Sequence, residues 1–236
     1  MNELVVTVDT STPAGSVALS RGHELLGEIV LHLRGTHTDR VLNSLKWLLA
    51  EASVRLTDVD AFGVVVGPGS FTGLRVGVAT VKGLAYAGGA PVVEVSSLET
   101  LAMQCPSAAF PVCAMIDARK SEVYSTVFDC RAAEPIALTN DQVLSPQQLL
   151  DRLEGDHLFI GSGALLYSDH IRQKLGSRAH FVPWTMDPPR ASGAAVLVVS
   201  RLRAGLAKTA QEVVPRYIRA SEAEIMLAAK KASQSS

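Results

Sequence analysis

The sequence predicts an α/β protein of two similar lobes, each built on a mixed sheet. Three observations predict it. Short apolar runs at 4–8 and 112–116 each close on an aspartate, Asp9 and Asp117. Each run is followed by strand-like segments joined by links too short for a crossover, which only an antiparallel meander allows. Each meander then passes into alternating helix and strand patterns, so the order strand–strand–strand–helix–strand–helix occurs twice. The 236 residues suffice for one large domain or two small ones with a real core.

Leu4-Val5-Val6-Thr7-Val8 is a continuous β-branched run, the pattern of a buried strand. It stops at Asp9-Thr10-Ser11-Thr12-Pro13, turn chemistry with several side-chain oxygens. Residues 16–20 and 25–33 give two more strands, divided by Arg21-Gly22-His23. A helix follows, with Val41, Leu42, Leu45, Leu48, Leu49 and Ala52 on one stripe and Thr38 or Asp39 placed to cap it. A strand at 61–66 leads through a glycine-rich loop into a second helix ending near Gly88-Gly89. After a strand at 92–95, Ser96-Ser97-Leu98-Glu99 is a capping-box pattern opening a third helix.

Small residues and prolines at 106–111 place the lobe boundary there, giving lobes of 1–106 and 107–236. In the second lobe, the strand at 112–117 is followed by a polar turn at 118–122 and a strand at 123–128. Residues 136–143 fit the third member of this meander. Ser145 and Pro146 suit the N-cap and first position of a helix over 147–153. A strand at 158–160 and helices at 165–175 and 191–206 complete the order, and the tail at 230–236 is expected to fray.

Composition narrows the function classes. The chain is 47% hydrophobic, which excludes disorder, and its net charge of −1 supplies no global field for nucleic acid. No apolar run approaches the roughly 20 residues that span a bilayer, and the start lacks a basic signal-peptide region, so a soluble cytoplasmic protein is expected, with no membrane partner. Cys105, Cys113 and Cys130 are too few and too irregular for a disulfide framework or a metal knuckle and read as small apolar packers.

The densest motif is Gly67-Pro68-Gly69-Ser70-Phe71-Thr72-Gly73-Leu74-Arg75-Val76-Gly77, at a strand-to-helix junction. Unpaired amides and the helix dipole favour an anion there, with Ser70 and Thr72 as hydroxyl donors. It is neither a Walker A loop nor a dinucleotide fingerprint. The alternative is that its glycines only permit tight turns and close packing. On the helix that follows, Gly73, Gly77, Thr80, Leu84 and Ala87 form a stripe of mostly small residues. A mid-helix glycine costs about 1 kcal/mol, so a close helix–helix contact should compensate, and an interface between chains is expected.

These residues carry a resemblance. Val6 to Thr12 with Ser16-Val17-Ala18-Leu19, then Gly67 to Gly77, Asp117-Ala118-Arg119 with Glu122-Val123-Tyr124, and Pro215-Arg216-Tyr217-Ile218-Arg219 closely resemble the TsaB (YeaZ) family, over nearly the whole chain. The resemblance implies the two-lobed actin-like fold (sugar kinase, Hsp70, actin; ribonuclease H-like), in which nucleotide lies between halves held by the first hairpin of each. It further implies a non-catalytic subunit in the synthesis of threonylcarbamoyladenosine beside the anticodon of ANN-reading tRNAs. The expected partners are the transferase TsaD, the ATPase TsaE, a second copy of the chain, and tRNA through the complex. No cofactor is expected on this chain alone, with ATP or ADP only at the interface of the complex.

TsaD holds its metal with two histidines four residues apart. Here Val41 stands four residues after His37, and none of the six histidines forms such a pair, so no metal and no catalytic residue are expected. Asp9, Ser11, Gly69, Ser70 and Thr72 are the candidate nucleotide or anion site, although Asp9 and Asp117 equally suit strand-closing turns. Arg40, Ser44, Trp47, Gly73, Gly77, Thr80, Leu84 and Ala87 are the candidate partner surface. An actin-like phosphotransferase or ATPase is the first rival reading. A peptidase of the kind suggested by the family's older glycopeptidase label is the second. Gly161-Ser162-Gly163 lacks the spacing of a nucleophile elbow.

Overall fold

The computed structural model describes residues 2–33 and 37–219, and the side chain of His37 and the tail at 230–236 lie outside the described residues. The first sheet contains β1 (Leu4–Asp9), β2 (Gly15–Arg21), β3 (Glu24–Leu31), β4 (Ala61–Gly67) and β5 (Val92–Ser96), in the order β3-β2-β1-β4-β5. β1, β2 and β3 are antiparallel, whereas β4 and β5 add in parallel on the other side of β1. The second sheet repeats this plan. β6 (Val112–Arg119) and β7 (Glu122–Asp129) are antiparallel, β8 (Ile136–Ala137) and β9 (Gln142–Leu144) both pair with β7, and β10 (His157–Ile160) and β11 (Ala179–Phe181) add in parallel beyond β6. The duplicated two-lobed α/β class that the sequence predicts is the class found.

Seven helices cover the sheets among the described residues: α1 (His37–Glu51), α2 (Phe71–Gly88), α3 (Ser97–Ala102), α4 (Pro146–Leu150), α5 (Ser162–Leu166), α6 (Ser168–Leu175) and α7 (Ala191–Arg203). Every residue of β1 is buried because both its faces are covered. Val6 and Val8 pack with Leu45, Leu48, Val78 and Val81 of α1 and α2, while Val5 packs with Leu197 and Val198 of α7. In the second sheet, Met115 and Phe159 face Leu149 and Ile171 of α4 and α6, and Ala114 and Ile116 face Leu98 and Leu101 of α3.

The sequence halves and the packing units therefore cross over. α3, from the first half, lies on the second sheet, and α7, from the second half, lies on the first. Three local expectations are corrected and one strand is added. The single strand expected at 136–143 is two short pieces, because residues 138–141 set four residues opposite Thr126 and Val127 of β7 and break the ladder as a bulge. The helix expected at 165–175 is two helices, since Tyr167 leaves helical geometry at φ −105 and ψ 19. The helix expected at 147–153 ends at Leu150. β11 was not expected, being only three residues long with no periodicity to read.

Candidate functional site

β1 and β4 run side by side and end together, which brings the Asp9–Thr12 turn against the loop that enters α2. The Ser70 hydroxyl caps α2 by accepting from the Gly73 amide at 3.2 Å, and the Ser70 amide donates to the Ser11 carbonyl at 2.7 Å. Thr10 Oγ1 donates to the Gly73 carbonyl at 2.7 Å. Three of the motif's four glycines face this turn without room for a side chain. A Cβ on Gly69 would lie 2.2 Å from the Ser11 carbonyl oxygen, one on Gly73 2.0 Å from that of Thr10, and one on Gly77 2.2 Å from Thr10 Oγ1.

Asp9 and Ser11 are fully buried under this contact. Asp9 Oδ1 accepts from the Ser11 amide at 2.7 Å, whereas Asp9 Oδ2 and the Ser11 hydroxyl lack a well-aligned partner. Burial pushes the Asp9 carboxyl up to about 6, against the pull of the Ser11 N–H. Thr72 is exposed on the first turn of α2.

The candidate anion residues Asp9, Ser11, Gly69 and Ser70 are thus brought together, but onto one another. The Thr10 and Ser11 carbonyl oxygens fill the hollows at Gly73 and Gly69, and the Ser70 amide and hydroxyl are engaged by the loop and the cap. A signal visible in the sequence was the alternation of Thr10, Ser11 and Thr12 with the glycines, small groups on both sides of a close contact.

Asp117 does not close its strand as expected: it pairs with Val123 inside β6, which runs on to Arg119 because the hairpin with β7 turns only at residues 120–121. Its Oδ1 accepts from the Arg119 amide at 2.8 Å, and its Oδ2 lies 3.2 Å from the Arg119 guanidinium. A cleft of about 490 Å³ between the lobes is lined by Glu94, Glu99, Asp141, Arg201 and Arg216. Its two arginines are paired, Arg201 with Glu99 at 2.8 Å and Arg216 with Asp141 at 3.3 Å. Cys105 and Cys113 are buried with thiols pushed up to about 12, and burial likewise pushes Cys130 up to about 11. Among the described residues, no three His, Cys, Asp or Glu side chains gather as metal ligands, and no helix is long and apolar enough to cross a membrane.

The candidate partner residues separate into two groups. Gly73 and Gly77 are buried against Thr10, so their stripe answers a contact within the chain rather than one between chains, and Ser44 is also buried. Thr80 and Leu84 are half-buried, with Leu84 against the first core, while Ala87 is exposed. Trp47 is 55% exposed, and Arg40 donates to the Leu33 carbonyl at 2.7 Å. A second small-residue face of α2, with Ala79, Gly83 and Ala87 beside Tyr86, is open to solvent, and nothing lies within 4 Å of a Cβ built on Gly83. Sequence reasoning passed over Ala79, Gly83 and Tyr86, because spacing marks stripes without saying which one faces in.

A family model described as TsaD, tRNA N6-adenosine threonylcarbamoyltransferase, matches residues 26–227. The chain is 36% identical over 191 residues to the tRNA threonylcarbamoyladenosine biosynthesis protein TsaB of Haemophilus influenzae, covering 74% of this chain and 78% of that protein. It is 30% identical over 226 residues to the Bacillus subtilis protein of the same name, covering 93% and 96%. The solved structure of YeaZ from Pseudomonas aeruginosa superposes with a TM-score of 0.80 at 31% identity, covering 91% of this chain and 99% of that one. The activator of 2-hydroxyisocaproyl-CoA dehydratase from Clostridium difficile, solved with bound ADPNP, shares the fold alone, with a TM-score of 0.52 at 10% identity.

Proposed function

Since this chain belongs to the TsaB (YeaZ) branch of the tRNA threonylcarbamoyltransferase family, we propose that it acts in threonylcarbamoyladenosine synthesis by holding TsaD through the outer faces of α1 and α2. The family's part is that of a non-catalytic subunit working with TsaD and TsaE. The observation that carries the contact surface is the open face of α2 at Ala79, Gly83 and Ala87 beside exposed Tyr86, together with exposed Trp47 on α1. Small residues let a partner helix approach closely, and aromatics beside them anchor it. Thr80 and Leu84 border this face on α2, and Arg40 belongs to the α1 part of the surface. The same face serves a second copy of the chain when TsaD is scarce. In this reading any ATP or ADP is met at the interface of the complex, and tRNA through the complex.

Reconstitution tests this reading: ANN-reading tRNA, threonylcarbamoyl-adenylate, TsaD and TsaE, with this chain, without it, or with Gly83→Arg. Modification should require the chain, and Gly83→Arg should lower both the rate and co-elution with TsaD by at least roughly tenfold, about 1.4 kcal/mol of contact. Full modification without the chain would overturn the role. Full activity and co-elution with Gly83→Arg would overturn the surface.

A further inference from the structure

Beyond α7 the chain returns along the first lobe before crossing to the second. Lys208 pairs with Val92 on the outer edge of β5, and Lys82 Nζ donates to the carbonyls of Gln211 and Val213 at 3.2 and 3.0 Å. Val213 is fully buried in the first core. From here the contacts alternate between lobes. The Arg216 amide donates to the Val66 carbonyl at 2.8 Å in β4, while its guanidinium reaches Asp141 of the second lobe. The Tyr217 ring stacks on Phe71, the first residue of α2, at 4.4 Å between centroids and 20° between planes. Its hydroxyl accepts from Arg75 Nε at 2.9 Å. Ile218 packs on the second core, and Arg219 binds the Ala118 carbonyl and the Glu122 carboxylate.

We propose that residues 215–219 are an interlobe strap, which fixes the angle between the lobes by tying the Gly67–Phe71 loop to the β6–β7 turn. Two further observations fit a strap. Gly67 has φ +124, and a Cβ there would lie 2.6 Å from the Arg216 carbonyl oxygen, so the loop is bare where the strap crosses it. At the other anchor, Arg119, Lys120 and Ser121 all have positive φ, at 61, 54 and 58. Three consecutive non-glycine residues in that region persist only when their surroundings over-determine them. Arg219 supplies part of that constraint by gripping both ends of the turn. α3 and the crossing from β11 to α7 already join the lobes, so the strap is a further tie placed at the Gly67–Phe71 loop, and it removes hinge freedom that the others leave.

Paired spin labels test it in the full-length chain, diluted with unlabelled chain so that only distances within one molecule are read. Glu51→Cys on α1 and Gln173→Cys on α6 are exposed labelling sites, while the three native cysteines are buried. With the strap intact, one narrow distance distribution is expected. Tyr217→Ala with Arg219→Ala should broaden it, and an unchanged distribution in the folded double variant would overturn the proposal. Should that variant not fold, Arg219→Ala alone is read by amide exchange. Protection at residues 118–122 should fall roughly tenfold while β1 is unaffected, and unchanged exchange at the turn would likewise overturn it.

Discussion

Asp9 keeps its carboxyl group out of water with one well-aligned donor, the Ser11 amide. Burial raises it from 3.8 to about 6, so between those values the folded chain holds a proton that the unfolded chain has released. Stability therefore falls as pH rises from about 4 to about 6 and stays lower above that; a gap of about two units corresponds to about 3 kcal/mol. Asp9→Asn keeps an acceptor for Ser11 and removes the titration. Its urea midpoint should exceed that of the parent at pH 7.5, with the advantage shrinking towards pH 4; a difference independent of pH would refute this account. The sequence marked Asp9 as a strand-closing or phosphate-facing carboxylate. Its burial comes from the α2 entry loop, roughly sixty residues on, which no local pattern around Asp9 announces.

α2 shows what one element can carry. Its length, its Ser70 cap and its Gly89 C-cap in the left-handed region all follow from local sequence. Its two small-residue faces do not announce their direction. Gly73 meets the Thr10 carbonyl and Gly83 meets nothing. Gly73→Ala should then cost about 1–3 kcal/mol, because backbone rather than a flexible side chain must yield. Gly83→Ala should stabilise by about 0.5–1 kcal/mol through helix propensity. Urea denaturation of both variants checks the pair, and equal effects would mean that the two faces have been misassigned. Other elements divide along the same line. The capping box at Ser96 and the N-cap at Ser145 were legible because they are made within four residues. β8 and β9 were legible only as one strand and β11 not at all, because such short strands exist only by pairing with β7 or β10.

At the scale of the whole molecule, α3 and α7 exchange sheets. Leu98 and Leu101 of α3 are buried in the second core, while Val5, Val65, Val93 and Val95 of the first sheet are buried by α7. A fragment of residues 1–106 therefore leaves one face of its sheet and the apolar side of α3 uncovered, well beyond the patch a soluble monomer tolerates. It should aggregate when expressed alone, whereas the full chain should not. A monodisperse, folded fragment in light scattering would show that the first lobe is self-sufficient.

By itself, the sequence determined what short-range chemistry can write. It set the alternation of strand and helix, the aspartate that ends the first strand, the caps, the repeated order of the elements, and the motifs that resemble TsaB. Only the tertiary structure decided what those motifs face. The glycine-rich loop packs on Thr10 and Ser11, Gly83 rather than Gly77 is open to solvent, and the last described residues bridge the lobes. Periodicity records that a residue is small or apolar. Which surface it meets depends on contacts between segments tens of residues apart, and these are set only when the sheets close and the helices are laid across them.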